Sequence, residues 1–123
     1  MEKAHDITLL PADAIETIHE EWGTLQWLAG SHVGNAEGVT VGRMTMRPGG
    51  SNALHSHANC EEVLLVLRGL VEQVVGGRSM RQRPGDVVVV PAGVPHRSIN
   101  IGAGEAEVMI AFGSGARAFT YEQ

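Results

Sequence analysis

The sequence predicts an all-β fold in a single domain, and three observations carry that expectation. Sixteen glycines and five prolines cut the 123 residues into short segments. The segments between them are rich in Val, Leu, Ile and Thr, residues that fit a pleated, half-buried surface. Turn signals recur roughly every ten residues, a spacing that suits a sandwich or a barrel.

In chain order, ADAIETIHE (12–20) is expected to form one short helical turn. Strands are expected over WGTLQWLA (22–29), GVTVGRMTM (38–46), NALHSH (52–57) and EVLLVLRG (62–69). LVEQVV (70–75) and RSMRQR (78–83) flank Gly76-Gly77, a pair able to take the positive φ angles of a two-residue hairpin. DVVVVP (86–91), HRSINI (96–101) and AEVMIAF (106–112) complete the set. Arg78, Arg81 and Arg83 form the one basic cluster and are read as a solvated hairpin arm rather than an anion site.

The net charge of −5 would on average repel a phosphate backbone or an anionic membrane surface, so neither nucleic acid nor membrane is an expected partner. No apolar run approaches the roughly 20 residues of a membrane-spanning helix. The opening MEKAHDITLLPADAIE carries acids and a proline where a signal peptide needs an apolar core, and Cys60 is the single cysteine. A soluble, cytoplasmic protein is expected.

Alternate strand positions face opposite sides, so Val63, Leu65 and Leu67 point away from Glu62, Leu64 and Val66. Both faces are apolar, and the same holds for Val87 to Val90. Such strands call for cover on two sides: the barrel interior on one, and on the other the N-terminal segment or, more economically, the second subunit of a homodimer.

The segment LHSHANCEEVLLVLRG (54–69) carries the chemistry. His55 and His57 are two apart, hence on one strand face, at a spacing able to chelate one ion. Glu62 opens an aliphatic run, where a carboxylate is costly to bury unless it is paired or bound to a cation. Glu61 should face the opposite way, towards solvent. Two surface histidines are the plainer reading of the pair, but that reading leaves Glu62 and His96 unexplained.

These residues resemble the cupin superfamily. Gly49, five residues, His55, one residue, His57, four residues, Glu62, six residues and Gly69 match its first motif at every position. Gly85, five residues, Pro91, one residue, Gly93, two residues, His96, three residues and Asn100 match the second. The resemblance implies a small single-domain metal-binding cupin, a jelly-roll β-barrel that is usually dimeric, with one metal held inside by His55, His57, Glu62 and His96. It also implies turns at Gly69 and Gly85 and a loop at Pro91, Gly93 and Pro95 that presents His96. Asn100 is expected to bond backbone in a turn.

Three imidazoles and a carboxylate suit Fe, Mn, Ni, Co, Cu or Zn, and the donor set alone does not choose among them. A six-coordinate ion would keep two positions open for substrate, water or dioxygen; a purely structural ion is the plainer alternative. Around the site, Arg43, Thr45 and Arg47 share one strand face and Met44 and Met46 the other. An inward Arg43 could hold a substrate carboxylate, and an outward one would sit on a wet face. Gln73 could line the barrel as well, though an exposed strand position is favoured. Trp22, Trp27, Met44, Met46, Phe112 and Phe119 could wall a pocket, but ordinary core packing is favoured. Cys60 is expected to be inert, and His5, His19 and His32 to lie on the surface.

Tyr121, the one tyrosine, lends little support to sugar-nucleotide epimerase chemistry, and Glu62 argues against the three-histidine thiol dioxygenases. The length argues against a two-domain decarboxylase of the oxalate type, although not against a single-domain relative. A metalloenzyme acting on a small oxygenated or anionic molecule is therefore expected, of isomerase, lyase or cyclase type or a dioxygenase, with Glu62 and Arg43 as candidate catalytic residues. The competing class is a barrel that binds a ligand or metal, or senses one, and does no chemistry.

Overall fold

The computed structural model describes residues 7–123, so His5 lies outside the described residues. Among the described residues eleven strands are formed: β1 (Ile18–Glu20), β2 (Gly23–Ala29), β3 (Thr40–Met46), β4 (His55–Ser56), β5 (Glu62–Arg68), β6 (Val71–Val75), β7 (Arg78–Gln82), β8 (Val87–Val90), β9 (His96–Asn100), β10 (Ala106–Phe112) and β11 (Thr120–Tyr121). They build a six-stranded sheet in the order β1-β2-β3-β10-β5-β8 and a five-stranded sheet in the order β11-β4-β9-β6-β7. All strand pairs are antiparallel, and the two sheets form a jelly-roll barrel.

Period-two alternation decides the core. β3 and β10 bury every second residue, as do the first five residues of β5. Met44, Met46, Leu64, Val66, Val108, Ile110 and Phe112 thereby meet between the sheets. Each such side chain contributes roughly 1.5–3 kcal/mol on burial. The Gly76-Gly77 hairpin forms as the dipeptide predicts, with φ of 56° and 82°, values that an L side chain rarely tolerates.

Three expectations are corrected. The helical turn over 12–20 shrinks to a 3-10 turn at Ala12–Ala14, after which Ile15 is extended and β1 pairs with β2, Ile18 opposite Leu25. Pairing with β2 satisfies this backbone, and β-branched Thr17 and Ile18 suit a strand. The strand expected over 52–57 is ordered as β4 only at His55–Ser56; at Asn52 the backbone N donates to Ser98 O while the side-chain Oδ1 accepts from Ser98 N at 2.8 Å. Gln73 is fully buried rather than exposed. Its Nε2 donates to Gln82 Oε1 at 2.8 Å and its Oε1 accepts from Ser98 Oγ at 2.6 Å, while Gln82 Nε2 donates to the carbonyls of Leu64 and Asp86. A closed network of this kind is what makes buried amides tolerable.

The outer face of β5 and β8 keeps its apolar residues in the open. Val63 is 37%, Leu67 45%, Val87 55% and Val89 52% exposed. Ile7 and Leu9 are themselves exposed, so those residues do not supply the expected cover.

Candidate metal centre

His55 on β4, His57 just after it, Glu62 at the start of β5 and His96 at the start of β9 converge between the two sheets. All four are buried, and one potential ligand atom from each lies within 4.8 Å of the others. Strand register produces the convergence: His55 is the Cα partner of His96, and Glu62 is flanked by Phe112 and Val90. The loop before His96 is tied to the histidine pair by Gly93 N, which donates to His57 O at 2.8 Å from a backbone with φ of 79°. Glu61 is exposed, as the strand phase requires.

Each ring is oriented from behind. The Nδ1 atoms of His55, His57 and His96 lie 2.7, 2.8 and 2.9 Å from the carbonyl oxygens of Ala53, Ala118 and Val94. A carbonyl can only accept, so each Nδ1 carries the proton and each Nε2 of a neutral ring presents a lone pair. Those lone pairs face a carboxylate: His96 Nε2 is 2.7 Å and His57 Nε2 3.3 Å from Glu62 Oε1. His57 Nε2 is moreover buried without a hydrogen-bond partner. Acceptors facing one another in a buried site need a positive charge between them. A divalent ion supplies it, and backbone-anchored imidazoles with inward Nε2 atoms are the usual arrangement for holding one. The donor set therefore fits a transition metal.

Without an ion, protons must do this work, and the titration behaviour reflects it. Burial lowers His55 from 6.5 to about 4, with the positive charge of His96 adding to the effect against the Ala53 carbonyl. Burial also opposes charge on His96, but its bonds to Glu62 and to the Val94 carbonyl outweigh this and raise its pKa. Burial by itself would raise the Glu62 carboxyl; the imidazoles of His57 and His96 hold it below the ordinary carboxylate range instead.

Above the cluster opens a cavity of about 750 Å³. Trp22, Leu25, Trp27, Met44, Ile110, Phe112 and Phe119 give it an apolar wall, with Glu20, Glu21 and Tyr121 also lining it. Five of the six residues weighed as pocket or core thus line the cavity, Met44 and Phe112 among them while also belonging to the buried core, and Met46 is core only. Phe119 stacks on His55 with centroids 5.0 Å apart and planes at 14°.

Arg43 is not brought to this site. It shares its β3 face with Thr45, opposite buried Met44, and its guanidinium bonds Gln26 Oε1 on the neighbouring strand. Of the two orientations open to Arg43 the outward one is adopted, which removes it as a candidate catalytic residue: register turns Met44, not Arg43, into the cavity. The cation that does line the cavity is Arg117, with Cζ 4.5 Å from the Trp27 ring centroid. Burial lowers its pKa, with Glu62 and Cys60 acting in the other direction. It sits in GSGARAF, beyond the last long strand, where no periodicity marks it. Cys60 is buried and its thiol pKa is raised by burial and by Glu62, in keeping with an inert residue. His19 and His32 are exposed, and Asn100 bonds the backbone of Met46, Gly102 and Gly104.

Among families, the cupin domain matches residues 42–112. The chain belongs to the cupin family. This cupin is 35% identical over 88 residues to putative germin-like protein 3-4 of Oryza sativa subsp. japonica, covering 65% of this chain and 38% of that one. It is 32% identical over 88 residues to oxalate oxidase 1 of Hordeum vulgare, covering 65% of this chain and 44% of that protein. A solved oxalate oxidase in complex with glycolate superposes with a TM-score of 0.72 at 26% identity, over 79% of this chain and 53% of that one. The chain thus spans less than half the length of these two curated relatives.

Proposed function

We propose that this cupin is a metal-dependent enzyme that converts a small, oxygen-rich carboxylic acid, with one divalent transition ion held by His55, His57, Glu62 and His96. The observation that carries the reading is the cavity directly above four convergent donors, which gives a small molecule access to the position an ion would occupy. A structural ion would need no such opening. Bound there, the ion would supply Lewis acidity and, if redox-active, a route for electrons between substrate and dioxygen.

The chain's own residues bind and orient. Backbone carbonyls fix the three imidazoles, the aromatic wall excludes water, and Arg117 attracts an anion. Among the described residues and apart from the cluster itself, the deep wall carries no proton-transfer group; Glu20, Glu21 and Tyr121 are exposed. A wall without a separate base suits oxidation better than isomerisation, lyase chemistry or cyclisation, and the oxalate oxidase likeness points the same way. A second copy of the chain, covering the exposed valines of β5 and β8, completes the proposal as a homodimer.

Metal replacement tests the reading. Chelated protein is reloaded with Fe, Mn, Ni or Zn and offered small hydroxy, keto and dicarboxylic acids in air and under argon. Oxidation predicts turnover only with a redox-active ion and dioxygen. Anaerobic turnover with Zn would show isomerase, lyase or cyclase chemistry instead, and inactivity of every loaded form would favour a binding barrel.

A further inference from the structure

Arg117 is only half-buried, yet among the described residues its guanidinium has no hydrogen bond and no ion pair, even to Glu62. Its contacts are ring faces: Cζ is 4.5 Å from the Trp27 centroid, 5.1 Å from Phe112 and 5.2 Å from Phe119. Stacking of this kind holds a planar cation in place while leaving its edge donors free, the geometry that receives a carboxylate as a fork. The same two phenylalanines also pack against His57, at 4.9 and 5.7 Å. Arg117 and His57 therefore flank the same two rings of one aromatic-walled cavity.

The cavity is also large for a two-carbon acid. At about 750 Å³ it leaves most of its apolar wall untouched if the ligand occupies only the floor above the cluster. We infer that the site takes a dianionic acid whose one end sits at the histidine cluster, whose apolar body lies along Phe112 and Phe119, and whose distal carboxylate is held by Arg117. This rests on the metal-and-acid reading above and narrows it to a substrate class longer than oxalate or glycolate.

The test is calorimetric binding to protein loaded with Zn, so that affinity is read without turnover. Two acids of equal length are compared: 2-oxohexanedioate, which carries a distal carboxylate, and 2-oxohexanoate, which ends in a methyl group. Wild type is expected to bind the diacid about tenfold to a hundredfold more tightly, the range of one charge-assisted contact in a partly desolvated site. Arg117→Met should lose that preference, with unchanged zinc content and melting temperature. Arg117→Lys, which keeps the charge without the fork, should retain part of it. Equal affinity of wild type for the two acids, or a preference that survives in Arg117→Met, overturns the anchor and leaves the metal-and-acid reading standing. Failure of both acids to bind the zinc-loaded wild type overturns both.

Discussion

His55 and His96 are direct partners across the antiparallel β4–β9 pair, with ring centroids 4.3 Å apart, and each points its Nδ1 at the carbonyl two residues earlier in the chain. Two unrelated segments thus use the same local device to aim Nε2 at one point. Purified protein is accordingly expected to carry close to one divalent transition metal per chain by elemental analysis. His57→Ala should lose most of it, since removing one of four donors also admits water. Glu62→Gln should weaken binding more than Glu61→Gln; the opposite ranking would show that the exposed carboxylate is the ligand.

Chelated protein should lose stability as it is acidified from pH 6.5 towards about 4. His55 is held neutral in the fold down to about 4, against 6.5 ordinarily, so in that window the unfolded chain binds the extra proton. The stability that neutral His55 contributes is whole above 6.5 and declines as the pH falls. Thermal melts at pH 7 and pH 5 should separate for wild type and draw together for His55→Gln. An unchanged separation in the variant would assign the effect to other groups.

The buried amide network should be expensive to break. Gln82→Ala strands Gln73 Nε2 and takes one donor from each of the carbonyls of Leu64 and Asp86. Urea unfolding should show a loss of about 2–4 kcal/mol. Arg83→Ala on the exposed hairpin arm should stay within about 0.5 kcal/mol of wild type. Equal effects from the two variants would mean that water replaces the network.

The exposed face of β5 and β8 predicts self-association. Light scattering should find a dimer at micromolar concentration, and Val87→Lys combined with Val89→Lys should yield a folded monomer. A wild-type monomer under those conditions would remove the dimer.

Much was legible in the sequence because it depends on short spacings. One residue separates His55 from His57, and the match to the two cupin motifs adds Glu62 and His96, so the cluster is legible in the sequence through that resemblance. Period two also put Glu62 inside and Glu61 outside, and Gly76-Gly77 declared its hairpin. The same alternation was silent on Arg43, because a strand shows that Arg43 and Met44 face opposite ways but not which face is inner. That choice is made by the neighbours: β2 pairs Gln26 with Arg43 outside, and the opposing sheet covers Met44 within. Gln73 read as exposed because an amide is costly to bury alone, and its partners Gln82 and Ser98 come from different strands. Arg117 had no local pattern at all. Its place over Trp27 depends on the chain beyond β10 returning across the barrel mouth, where Asn59 bonds the backbone of Ala116 and Ala118. Spacing along the chain therefore marked the His55–His57 pair, and the motif resemblance implied the other two ligands. Only long-range pairing decided what stands around them, since the free energy that orients Arg117, Gln73 and the aromatic wall comes from contacts between segments distant in sequence.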